Sequence, residues 1–164
     1  VLVQGSLKKG VNIVTTQLTA KGEIKIRPME SKDSGAIFDI DRILSGGSMA
    51  IALINLVTED IKESFDLSVV ADVNAQLVGF ILARHAYIGR PVVEVCLIQA
   101  LSVHPLYQGQ DIEALLVNAL TERVKSLGMK NIRVILSTSD PRMEAFFSRL
   151  NFHRAPVIVC DKIL

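Results

Sequence analysis

No charge of either sign dominates this chain. Its 164 residues carry 18 Lys and Arg against 17 Asp and Glu, a formal net charge of +1. That balance removes the electrostatic case for nucleic acid or an anionic membrane surface as a partner. Cysteine is scarce: Cys96 and Cys160 are the two, far apart and in no CxxC pair, so neither a thiolate metal site nor a redox motif is expected. Each falls in an apolar run and reads as a buried core thiol. Long apolar runs are missing too. The best candidate, Met49 to Val57, contains Asn55 and falls well short of the ~20 residues of a membrane span. Lys8 and Lys9 precede VNIVTTQLTA, which is too polar for the core of a secretory leader. There is no internal repeat, no low-complexity tract and no linker that would divide two domains. A cytoplasmic location is the expectation that follows.

What is present is an ordinary globular composition, with 49% apolar and 21% charged residues, enough to bury a core without staples. Residues 1–22 read as an N-terminal extension, either an extra strand or a tail, and residues 23–164 as one domain. Glu23 to Pro28 alternates with Ile24 and Ile26 on one face, a short strand that Pro28 ends. Ser31 to Asp33 offers helix-start chemistry before Ile37, Ile40, Ile43 and Leu44 at helical spacing. Met49 to Val57 reads as a second helix. Leu67 to Val73 and Gln76 to His85 form a hairpin pair, and Gly79 marks a bulge or a close backbone approach. Val92 to Val103, nearly all apolar, reads as a central strand buried on both faces. Ile112, Leu115, Leu116, Ala119, Leu120, Val124 and Leu127 then trace a helical stripe that Gly128 stops. Asn131 to Leu136 predicts a strand, Pro141 to Leu150 a helix, and Val157 to Val159 the start of a last strand. The order is β-α-α-β-β-β-α-β-α-β, an α/β chain with a mixed sheet, antiparallel in its first half and parallel in its second.

The stretch with chemical potential is Val103 to Glu113, VHPLYQGQDIE, which joins the buried strand to the long helix. Such a turn directs free N–H groups and the positive end of the helix dipole toward one spot, the usual seat of a phosphate-bearing ligand in open α/β sheets. Here the sequence resembles the GNAT superfamily of acyl-CoA-dependent N-acetyltransferases. The family signature is a strand ending Val-x-Pro, then Gln/Arg-x-x-Gly-x-Gly/Ala opening a helix. Val103, Pro105 and Gln108 match it, and the resemblance covers roughly Ile24 to the C-terminus in element order. It implies a GNAT-like fold with splayed central parallel strands and acetyl-CoA or CoA as the cofactor. It places Leu101, Val103, Gln108, Gly109, Gln110, Asp111, Ile112 and Glu113 against that cofactor. It also implies an amine acceptor, small molecule or protein, whose pocket is built by Ile37 to Glu63 and Tyr87 to Pro91. A homodimer is expected on the same grounds.

The pattern breaks where the pyrophosphate of CoA would sit. Asp111 and Glu113 hold the two glycine positions. Those glycines let an anion approach the backbone. A helix N-terminus supplies about half a positive charge, and two carboxylates outweigh it. One like-charge pair at ~6 Å costs about 1–3 kcal/mol and two such groups several, so CoA affinity is expected to fall by roughly two or more decades unless the side chains turn away or a cation bridges them. Asp in a first helical turn is also a routine cap worth ~0.5–2 kcal/mol, and that local role is the expectation for Asp111. A second family landmark, Asn-x-x-Ala-x-x-Phe-Tyr-x-x-x-Gly-Phe, reads here as Asp140 to Phe152. Phe146 and Phe152 match, whereas Asp140, Met143, Phe147 and Asn151 replace Asn, Ala, Tyr and Gly. Phe147 cannot donate the proton that the family's tyrosine gives to the departing thiolate, and reads as core.

For a catalytic base the sequence offers Glu94, a carboxylate on the long strand, and His104, which follows that strand. No cluster of His, Cys, Asp and Glu suggests a metal. Two readings stay open: an acyl-CoA-dependent acetyltransferase with atypical CoA binding, or a GNAT-fold binding or regulatory module without transfer. A site repurposed for another small molecule is a third.

Overall fold

The computed structural model describes residues 15–19, 22–46 and 67–164. Six strands form one sheet in the order of the chain: β1 (Thr15–Thr19), β2 (Gly22–Pro28), β3 (Val69–Val73), β4 (Gln76–Ile88), β5 (Val93–Val103) and β6 (Ile132–Val134). Every pair from β1 to β5 is antiparallel, and β5–β6 is parallel. The helices are α1 (Ser34–Ser45), α2 (Ile112–Ser126) and α3 (Pro141–Arg149). This is the expected mixed α/β architecture. The proposed second helix, Met49 to Val57, and the strand-like Val11 to Val14 lie outside the described residues. Thr15–Thr19, within the expected N-terminal extension, pairs with β2 in the same sheet.

Apolar residues on alternate sides of the strands cover both faces of the sheet. One face carries the larger core: Ile24, Ile26, Val69, Ala71, Val73, Ile81 and Cys96 meet Ile112, Leu116, Leu120 and Val124 of α2, with Phe147 of α3. On the other face Val70, Phe80 and Leu82 pack against Ile37 and Ile40 of α1. Strand β3 is therefore buried at all five positions. Gly79 sits where both sequence readings meet. The β3–β4 register slips beside it, pairing Ala71 with Gly79 but Asp72 with Leu77, and a Cβ there would come within 3.0 Å of Val103 Cγ2.

Two expectations fail. Val157 to Val159 forms no strand: that segment is exposed, with Ile158 at 89%. Its alternation is too brief to hold a place at the edge of β6, which itself pairs over only three residues. Cys160 in the same segment is exposed rather than buried. Cys96 is buried, and desolvation pushes its thiol up to about 12, so it stays protonated and inert.

An ion triad fastens the elements around α1. The Arg27 guanidinium donates to both carboxylate oxygens of Asp33 at 2.8 Å and through Nε to Asp72 Oδ2 at 2.7 Å. Asp33 also accepts from the Glu30 backbone N–H at 2.7 Å. Burial pushes the Asp33 carboxyl up, but Arg27 and that N–H together hold it below its ordinary value.

Candidate functional site

The candidate site begins with an irregularity in β5. Leu82 pairs with Ala100 and Ala83 with Ile98, so Gln99 is the extra residue of a β-bulge. Before the bulge β5 pairs with β6 through Cys96, Leu97 and Ile98; beyond it, among the described residues, β5 pairs only with β4. In an antiparallel pair the N–H and C=O of one residue point the same way and alternate between neighbours. The His104 N–H donates to Val78 O across the β4 side at 2.8 Å. By alternation Leu101 and Val103 direct their backbone groups to the opposite side. The Val103 carbonyl bears this out by accepting from Gln108 Nε2 at 3.1 Å. Among the described residues a strand edge is thus left without a partner strand where the parallel pair separates, with its Val103 carbonyl taken by Gln108.

That edge lines a cleft of about 450 Å³. Leu101, Ser102 and Val103 form its floor; Gln108, Gly109, Asp111 and Glu113 one wall; Asp140, Arg142, Met143, Phe146 and Arg149 the other, with Leu44 of α1 nearby. Gly109 lies in the left-handed region (φ 76°) with nothing within 4 Å of a hypothetical Cβ, so the loop backbone is accessible there. Asp111 is left-handed as well (φ 57°) and its side chain makes no cap bond to α2. This corrects the capping role expected of Asp111. A capping residue takes an extended backbone that brings its carboxylate over the helix N–H groups, and the left-handed backbone does not. Its carbonyl still accepts from Leu115 N–H at 3.0 Å. The position therefore keeps a glycine's conformation while carrying an acid. Among the described residues neither Asp111 nor Glu113 makes an ion pair.

On the opposite wall, Asp140 caps α3 by accepting from Met143 N–H at 3.3 Å. Arg142, Phe146 and Arg149 follow at spacings of four and three, which sets them on one helical face. Phe147 points elsewhere. It is 2% exposed and packs edge-to-face against Phe146 and Phe152, as its reading as core implied.

Six of the eight residues assigned to the cofactor by resemblance line this cleft: Leu101, Val103, Gln108, Gly109, Asp111 and Glu113. Ile112 is instead fully buried in the main core. Gln110 does not line it either; its Oε1 is, among the described residues, the one buried side-chain polar atom without a hydrogen-bond partner. Glu94 and His104 also stand off the lining. Glu94 is near the start of β5, roughly 20 Å of strand from Leu101, where its Oε1 and His85 Nε2 share a hydrogen bond at 2.8 Å on the surface. His104 opens the 3₁₀ turn Pro105–Tyr107, and its Nδ1 accepts from Leu106 N–H at 3.2 Å, which leaves the ring hydrogen on Nε2. The sequence reading passed over Arg142 and Arg149. Their spacing of seven about Phe146 on a helix beside the loop was the available signal.

A sheet that parts along a parallel pair, beside a strand-to-helix turn, is the class of α/β protein that seats an extended ligand at the strand ends. Within that class residues 47–152 match the acetyltransferase (GNAT) family, and the chain belongs to it. Solved structures share the fold. A possible acetyltransferase from Clostridium difficile superposes with a TM-score of 0.72 at 16% identity, covering 86% of this chain and 97% of that one. An aminoglycoside N-acetyltransferase in complex with CoA gives 0.72 at 16% identity, covering 89% and 99%. A transcriptional regulator from Bacillus halodurans gives 0.67 at 18% identity, covering 86% and 99%. No curated protein matches the sequence significantly. Among the described residues no helix is long and apolar enough to cross a membrane.

Proposed function

We propose that the chain is an acyl-CoA-dependent N-acetyltransferase whose cofactor loop is atypical. The observation that carries this reading is the open edge of β5 at Leu101 and Val103, which lines the cleft. An edge of this kind offers strand-like hydrogen bonds to the amides of a pantetheine arm. The cleft fits that arm, and Gly109 adds accessible backbone. The acidic positions Asp111 and Glu113 do not fit a pyrophosphate. The cofactor supplies an activated acetyl thioester when bound. The Leu101 N–H would be the edge donor to polarise its carbonyl, and Met143 and Phe146 give one wall an apolar lining. Glu94 and His104 stand away from the cleft lining, so neither is placed to take the proton of an acceptor ammonium there. Phenylalanine at 147 could not supply a proton to a departing thiolate.

Calorimetric titration with acetyl-CoA, checked by thermal shift, tests the reading. Ligand at 100 times its dissociation constant stabilises by ~2.7 kcal/mol, or roughly 5–11 °C for a chain of this size. Absence of both heat and shift at millimolar acetyl-CoA overturns it. The two acids specifically favour the second reading, a GNAT-fold binding or regulatory module without transfer. That reading gains if acetyl-CoA binds yet no acetyl group reaches any member of an amine panel.

A further inference from the structure

The cleft keeps its charges apart. Asp111 and Glu113 stand on the loop wall and Arg142 and Arg149 on the α3 wall, and no ion pair joins them. Arg142 and Arg149 are the basic side chains that line the cleft, neither makes an ion pair among the described residues, and both present the bidentate fork that suits phosphate oxygens.

We propose that the phosphates of acyl-CoA are held by Arg142 and Arg149 of α3, across the cleft from the loop that the family signature would use. The proposal rests on the acyl-CoA reading above. Electrostatics chooses the wall. A phosphate at the loop meets two carboxylates against about half a positive charge of the α2 terminus, whereas at α3 it meets two guanidiniums against the one carboxylate of Asp140, which is engaged in capping that helix. Seven residues separate the arginines, about 10 Å along the helix, so they suit two separated phosphate groups better than one. CoA carries such a pair, its 3′-phosphate and its pyrophosphate. Phe146 lies between them on the same face, an apolar surface for the intervening nucleoside.

Titration of the full chain with CoA, dephospho-CoA and pantetheine, on the wild type and four variants, decides the matter. The R142A/R149A double variant is expected to weaken CoA about tenfold or more while leaving pantetheine binding unchanged. Dephospho-CoA should lose less than CoA, because one of its phosphate contacts is already missing. R142K/R149K keeps the charge without the fork and should retain part of the affinity. Both arginines are exposed, so the arginine variants should melt with the wild type, which separates binding from folding. Equal CoA affinity in the wild type and R142A/R149A overturns the arginine site and leaves the acyl-CoA reading standing. Failure of the wild type to bind CoA at millimolar concentration, with D111G/E113G failing too, overturns both. If D111G/E113G binds CoA and R142A/R149A added to it has no effect, the phosphates belong to the loop and the proposal falls.

Discussion

Asp111 shows how far one side chain departs from the backbone beneath it. Its left-handed φ of 57° is a glycine's conformation, and its carboxylate lines the cleft unpaired. Replacing it by glycine relieves about 1 kcal/mol of backbone strain, with aspartate at the low end of the usual range. The unfolded chain gains about 0.5–1 kcal/mol of entropy in return. These nearly cancel, so D111G should melt within a few degrees of the wild type while binding CoA more tightly. An unchanged affinity would show that the carboxylate turns away from the ligand. Sequence alone exposed the acid at the glycine position but not its conformation, because a capping aspartate and a left-handed one read identically. Asp33 makes the opposite case, an acid held by its neighbours. Burial raises its pKa, yet Arg27 and the Glu30 N–H bring it below the ordinary carboxylate value. A carboxyl depressed on folding contributes stability above its unfolded pKa of about 3.9 and loses it as pH falls through the folded value. Urea unfolding should therefore show stability declining below about pH 4, with D33N showing a shallower decline. D33A should cost about 3 kcal/mol at pH 7, since it leaves Arg27 with Asp72 as its remaining partner among the described acids. A loss under about 0.5 kcal/mol would assign the pair to the solvated surface class.

Elements were legible where they were long and periodic. The α2 stripe from Ile112 to Val124 lies on the core as its spacing required, and the apolar run before His104 became the bulged strand β5. The bulge at Gln99 was not legible. It arises from pairing between distant strands, and no local residue signals it. The same holds for the Arg27 triad, whose acids come from positions 6 and 45 residues away. Short elements misled: Val157 to Val159 has strand composition but no strand. The β3–β4 turn was legible and carries a test. Asn74 (φ 50°) and Ala75 (φ 64°) occupy the two positive-φ positions of a two-residue hairpin loop between Val73 and Gln76. Asparagine suits the first, whereas alanine in the second costs about 1–2 kcal/mol. After about 0.5–1 kcal/mol of unfolded-state entropy is set against that relief, A75G should stabilise the protein by roughly 0.5–1 kcal/mol. Chemical denaturation that shows A75G destabilised would mean the turn does not adopt this conformation in solution.

Among the described residues, the larger buried core lies on the α2 side of the sheet, and the site occupies the margin of that side. The larger core joins β2 through β6 to α2 and α3, and Phe147 ties α3 to it through Phe146 and Phe152. The C-terminal segment contributes almost nothing: Val157, Ile158, Val159, Ile163 and Leu164 are all exposed, and Val157 N–H bonds only as near as Ala155 O. Two perturbations of very different size should therefore have inverse effects. F147A removes one buried ring and should cost about 3–5 kcal/mol, a large fraction of the ~5–15 kcal/mol that holds a typical domain. Since α3 bears Arg142 and Arg149, that variant should also loosen CoA by disordering one wall of the cleft. Deleting residues 157–164 removes eight residues and should shift stability by less than about 0.5 kcal/mol, because no buried surface is exposed. Urea denaturation of both variants, read side by side, checks the distribution. A deletion that costs more than ~2 kcal/mol would mean the segment is packed in solution, against the edge of β6 or against a second copy. Concentration dependence of the melting temperature then separates those two arrangements, since only pairing between copies makes it rise with protein concentration.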